Sequence, residues 1–188
     1  MADFKIHDVE TATGATKEAL ETARKRYGFV PNLIGGLAEA PAAATAYMAL
    51  GDALASSSLK PEELHVVWFA INAYHGCDYC MAAHTGIAKR QNIDDAVIET
   101  ARAGGAYDDQ RLETLRAFAV KVVEERGWVS PEEVDDFLAA GFTKANVIEI
   151  VLAAAHKTLS NYTNHIVGTP LDAAFAAHEW SPPAKAAE

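Results

Sequence analysis

Apolar residues recur along this chain at intervals of three and four, and no stretch alternates apolar and polar residues as a strand would. The pattern predicts helices nearly throughout. A first is expected over Lys17 to Arg26, ending at Gly28, after which Phe29-Val30-Pro31-Asn32-Leu33 redirects the chain. Pro41 is placed to open a second through Tyr47 and Leu50. Pro61 opens a third, with Leu64, Val67, Trp68 and Ile71 on one stripe. His75-Gly76 breaks the pattern, and a fresh helix is expected from Cys77 to Arg90. Asn92 reads as the cap of the next, which passes Val97 and Ala101 and closes at Gly104-Gly105. Leu112, Leu115, Phe118, Val122 and Val123 mark one face of a further helix, and Ser130-Pro131-Glu132-Glu133 has the form of a capping box. The longest helix is expected after Thr143, carrying Val147, Val151, Leu159, Tyr162 and Ile166. Trp180-Ser181-Pro182-Pro183 should end the ordered part.

The expectation is an all-α protein, a single helical domain over 1–188 with its core at about 15–178 and a loose tail at 181–188. Half the residues are hydrophobic, enough to build a core without disulfide staples. The formal charge is −10, from 16 basic and 26 acidic residues, with no Lys/Arg cluster to reverse it locally. Such a surface repels phosphate backbones, so nucleic acid is not an expected partner. The first residues carry charges where a signal peptide is apolar, and nowhere do about 18 uncharged apolar residues run together. A cytoplasmic protein with no membrane partner is expected.

Only two cysteines are present, Cys77 and Cys80, at a predicted helix start. In a reducing compartment such a pair points to redox or metal chemistry before a structural bridge. The first turn of a helix offers unpaired N–H groups and the positive end of the dipole, both of which favour thiolate. Three-residue spacing lets one sulfur attack an oxidant and the other resolve the product. His84 follows Cys80 by four residues, on the same helix face, where an imidazole can accept the thiol proton or stabilise the thiolate. Zinc is the rival use of the pair, with His65, His75, His156 and His165 available as further ligands, although a closed site generally needs four ligands and no second Cys pair exists. Tyr79 either packs or donates to sulfur. His156, Asn161, Asn164 and His165 either line a pocket or are satisfied by neighbouring backbone. Trp68 and Phe69 belong to a core or a subunit interface.

The run from Leu59-Lys60-Pro61-Glu62-Glu63 through Asn72 to His75-Gly76-Cys77-Asp78-Tyr79-Cys80 and His84 resembles the carboxymuconolactone decarboxylase superfamily, in its alkylhydroperoxidase AhpD-like branch. So do Tyr27-Gly28-Phe29-Val30-Pro31-Asn32-Leu33 with Leu37-Ala38-Glu39-Ala40-Pro41, and Asn164-His165 with Gly168-Thr169-Pro170-Leu171-Asp172. The resemblance implies an AhpD-like fold of orthogonal and antiparallel helices assembled as a homo-trimer or homo-hexamer. It also implies thiol peroxidase or related disulfide reductase activity, with Cys80 attacking the hydroperoxide, Cys77 resolving it and His84 in a proton relay. The family relay commonly has a glutamate twelve residues before the first cysteine, where this chain has His65, and a second acid two residues earlier, matched by Glu63. Either His65 replaces the carboxylate, or Glu63 does part of the work, or the relay is weak. Glu63 also has a plain structural use, complementing the dipole of its own helix.

The expected function is therefore a thiol oxidoreductase of the peroxidase type that needs no cofactor and no metal. It reduces a hydroperoxide or related oxidant and is recharged by a thiol or dithiol donor. The candidate catalytic residues are Cys77, Cys80, His84, Glu63 and His65. The alternatives are a zinc-binding or structural oligomer and a lactone decarboxylase-like lyase.

Overall fold

The computed structural model describes residues 4–183, and the described residues form helices joined by short turns, with no strand among them. The helices are α1 (Gly14–Tyr27), α2 (Asn32–Leu37), α3 (Pro41–Ala55), α4 (Pro61–His75), α5 (Asp78–Arg90), α6 (Asp95–Ala103), α7 (Gln110–Glu124), α8 (Pro131–Ala139) and α9 (Lys144–Val167), followed by a 3-10 helix at Ala173–His178. The all-α expectation holds. No single helix among the described residues is long and apolar enough to cross a membrane.

The punctuation residues act where their chemistry requires. Gly28 and Gly104 take left-handed backbone after α1 and α6 (φ 83° and 68°), and prolines open α3, α4 and α8. The box at α8 is present, with Ser130 Oγ accepting from Glu133 N–H and the Glu133 carboxylate accepting from Ser130 N–H. The cap of α6 is not Asn92. It is Asp94, whose side chain accepts from Ala96 N–H, while Asn92 takes up a left-handed turn at φ 57°. Asn serves both roles well, so its type alone does not say which it plays. The six-residue α2 and the 3-10 helix were not expected. In α2, a Cβ on Gly35 would stand 2.7 Å from Ile6 Cγ2 and 2.9 Å from the His7 carbonyl, so the N-terminal segment crosses there only because the residue is glycine.

Helix α4 is the axis of the fold, packed by α5, α6, α7 and α9. Its residues are buried on nearly every side from Glu63 to Asn72, a wider surface than the single stripe the sequence pattern suggested. Two apolar clusters flank this axis. One joins α4, α6, α7 and α8 with the first half of α9 and contains the stacked rings of Phe118, Phe137 and Phe142, with centroids 4.1 and 4.2 Å apart. The other joins α1, α2, α3 and α5 and includes Cys77, Tyr79 and Cys80.

Helix α9 reverses the usual polarity. Its inner face from the middle onward is His156, Lys157, Ser160, Asn161 and Asn164, whereas Ile148, Val151, Tyr162 and Ile166 are exposed. The apolar positions that mark this helix in the sequence are thus largely outside. Part of the expected loose tail lies beyond the described residues, from position 184 on. Within them Trp180 is buried, and its indole N–H donates to the Arg102 carbonyl at 2.8 Å.

Candidate active site

Gly76, left-handed at φ 64°, ends α4 and turns the chain directly into α5, with Cys77 N–H returning to the Asn72 carbonyl. Cys77 is the cap residue of α5, and Cys80 lies one turn in. Both are free thiols and both are buried. They share a single donor from across the molecule, since Asn164 Nδ2 lies 3.3 Å from Cys80 Sγ and 3.7 Å from Cys77 Sγ. Cys80 Sγ is also 3.6 Å from Ser160 Oγ. A cavity of about 590 Å³ opens beside them, and Cys80 is in its wall while Cys77 is not.

The two thiols differ electrostatically. Burial works against ionising Cys80, but it is outweighed by the hydrogen bond from Cys77, the charge of Lys157 and the hydrogen bond with Ser160, which bring this thiol down to about 5. The same Cys77–Cys80 hydrogen bond, together with burial, pushes the Cys77 thiol up. One sulfur is set to be a thiolate and the other to remain a thiol that donates to it.

His84 is buried in the cavity wall, but its ring does not hydrogen-bond to sulfur. Its Nε2 is 2.8 Å from Lys157 Nζ. Burial, then the charge of Lys157, hold this imidazole well below its ordinary value, so it is neutral at pH 7. His65 sits beside it, ring centroids 6.2 Å apart, with Nε2 3.0 Å from Gln91 Oε1. Burial also lowers His65. Glu63 is elsewhere. Its carboxylate accepts from Lys60 N–H at 2.9 Å and from Arg111 Nε at 2.7 Å, which closes the first turn of α4 and ties it to α7. The fold therefore brings Cys77, Cys80 and His84 together, sets His65 behind His84, and leaves Glu63 at a helix cap.

Tyr79 does not serve the sulfurs. Its hydroxyl donates to Asp172 and accepts from Leu33 N–H, while Asp172 also accepts from Asn32 N–H, which fastens the C-terminal segment over α2. His156 stacks on Tyr47 in the cavity wall, His75 meets Tyr162 edge-on, and His165 is exposed. Among the described residues, no three His, Cys, Asp or Glu side chains converge to hold a metal ion, so the zinc alternative has no ligand set there.

Lys157 and Ser160 carry much of the site's polarity without having been candidates from the sequence. A signal for them existed: with Asn161 and Asn164 they recur at three- and four-residue spacing, as a polar stripe on a helix otherwise rich in large apolar residues.

The chain matches the Carboxymuconolactone decarboxylase family over residues 41–125, a stretch that holds the break after α4 and both cysteines. The whole fold is that of the AhpD core. A peroxidase-related protein from Ralstonia eutropha JMP134, described as an alkylhydroperoxidase AhpD core, superposes with a TM-score of 0.80 at 22% identity, covering 97% of this chain and 100% of the other. A peroxidase-related protein from Silicibacter sp. TM1040 gives 0.76 at 18% identity, over 93% and 95% of the two chains. A variant of the debrominase Bmp8, in complex with 2,3,4-tribromopyrrole, gives 0.77 at 18% identity, over 95% and 96%. No curated protein matches the chain.

Proposed function

We propose that this carboxymuconolactone decarboxylase family protein is a dithiol oxidoreductase that reduces organic hydroperoxides, with Cys80 as the attacking sulfur and Cys77 as the resolving one. The observation that carries the reading is the asymmetry of the pair, two sulfurs on one amide donor of which only Cys80 faces the cavity.

The chemistry balances within the site. The Cys80 thiolate attacks the outer peroxide oxygen, an S–O bond forms, the O–O bond breaks, and the departing alkoxide takes up a proton to leave as an alcohol. The resulting sulfenic acid is attacked by Cys77. The S–S bond forms, the S–O bond breaks, and water departs with the Cys77 proton. The peroxide gains two electrons and the dithiol loses them, to be restored by an external thiol or dithiol. Helix geometry supplies the closeness that the second step needs. The cavity favours an organic oxidant over hydrogen peroxide. It has the volume of a small-molecule site and is walled by Tyr27, Phe29, Tyr47, Trp68 and Phe175.

A second reading keeps the dithiol and changes the acceptor. The aromatic wall and the likeness to a debrominase support reductive dehalogenation of a small halogenated ring. An aryl bromide and two thiols would give the arene, hydrogen bromide and the disulfide.

The test is to add one equivalent of cumene hydroperoxide to the reduced protein and count the thiols that remain. Loss of both, with a trappable sulfenic acid in Cys77→Ser and none in Cys80→Ser, is the expected result. Two surviving thiols would refute the peroxide reading. Bromide release from a bromopyrrole would then select the second, and lactone turnover undiminished in Cys80→Ser would select a lyase.

A further inference from the structure

The dithiol cycle assigns no step to Lys157, yet a lysine side chain is costly to enclose. It is fully buried on the inner face of α9. Lysine is almost never fully buried unless paired, and a pair normally means a carboxylate. None of the ion pairs among the described residues includes Lys157. Its side-chain partner is His84 Nε2, an imidazole that accepts a hydrogen bond but cancels no charge.

The groups around it leave one candidate for the counter-charge. From α1, Arg26 is another cation and is taken by Asp52 and the Met48 carbonyl. From α3, Tyr47 is kept protonated by burial. From α4, His65 and His75 are lowered by burial and neutral, as is His156 on α9 itself. From α5, His84 is neutral and Cys77 is held as a thiol. The carboxylate of Asp172 is engaged by Tyr79 and Asn32. Only Cys80 remains able to carry negative charge beside the lysine.

We infer that Lys157 is the counter-ion of Cys80, and that His84 serves as the acceptor that holds the ammonium in place, not as the base that removes the thiol proton. Lys157 stands one turn before Ser160 and two before Asn164, so a single helix face supplies the sulfur with its cation, its hydroxyl and its amide donor. Away from water such a pair is held far more strongly than at a surface, and removal of either partner leaves an uncompensated charge. Lys157 is a positioning residue by this account, since it sets the ionisation of the group that reacts. The inference draws its catalytic meaning from the dithiol reading.

The test uses the reduced full-length protein without any oxidant, so its outcome is independent of peroxide turnover. Thiolate absorbance in the ultraviolet is titrated against pH in the wild type, Lys157→Met and His84→Ala. The wild-type midpoint is expected in the acid range. Lys157→Met should move it up by about one unit or more, slowing Cys80 alkylation near pH 6 by about twofold for a shift of one unit and about tenfold for two. His84→Ala should move it less. An unchanged midpoint in Lys157→Met overturns the inference while leaving the dithiol cycle intact. Should Lys157→Met fail to fold, Cys80→Ala decides, because coupling is reciprocal. The side-chain carbon resonances of Lys157 should then titrate at lower pH than in the wild type, and an unchanged titration overturns the pair. Wild-type thiols that survive peroxide while the Lys157→Met midpoint still moves would remove the peroxidase reading alone.

Discussion

The stack of Phe118, Phe137 and Phe142 and the inner face of α9 are both shut away from solvent, but they are filled by opposite chemistries. In the first, rings lie nearly parallel on one another and take apolar surface out of water, so burial is favourable. In the second, an ammonium, an imidazole, two amides and a hydroxyl occupy space that apolar side chains would fill at lower cost. The phenylalanine region contributes stability. The α9 face consumes some of it and holds in return a sulfur poised to ionise.

The difference can be broken from either side. The largest effect is expected from Phe137→Ala in the ring stack. Phe137 is 1% exposed, and its truncation should cost about 3–5 kcal/mol in chemical denaturation while the thiolate titration of the folded protein stays where it was. A Cys80 midpoint that moved with it would mean the two regions are not separable.

Acid should act mainly on the polar region. His84 and His156 are both buried and both held below their ordinary value by burial first, then by Lys157. A base whose folded value is depressed contributes stability that is present above its unfolded value and lost as pH falls beneath it. Stability should therefore be flat near neutrality and decline below about pH 6.5, by about 3 kcal/mol at pH 5.5 for the two together. Denaturant midpoints across that range measure it, and His156→Phe should remove about 1.4 kcal/mol of the loss at pH 5.5.

The smallest effect sharpens the boundary of the site. Glu63→Gln retains an oxygen for Lys60 N–H but gives up the ion pair with half-exposed Arg111, a loss of about 1 kcal/mol. Cys80 alkylation rates should be unchanged. A slower rate would restore Glu63 to the proton relay that the family resemblance suggested.

The parts of this molecule that were legible in advance are those where one residue type has a single local meaning. A proline placed to open a helix, a glycine that accepts left-handed backbone more readily than other residues, and Ser130 with Glu133 three positions on each set a boundary without reference to the rest of the chain. Cys77 and Cys80 at the mouth of α5 are of this kind, since a single turn brings them together. Asn92 was not, because two local conformations suit asparagine and the neighbouring Asp94 took the cap. Nor was α2, too short for a period and held by what crosses it at Gly35.

The chain's own order determined which residues could react and on which turn of which helix they would stand. Which way α9 faced was decided only when α4, α5 and α3 closed around it, because its polar and apolar stripes are equally regular and period alone cannot say which is inside. That choice put Lys157, rather than a carboxylate, beside the imidazole of His84, and the amide of Asn164 between two sulfurs some 85 positions away. Charges and donors act through space over a few ångströms, a distance that separation along the backbone does not measure.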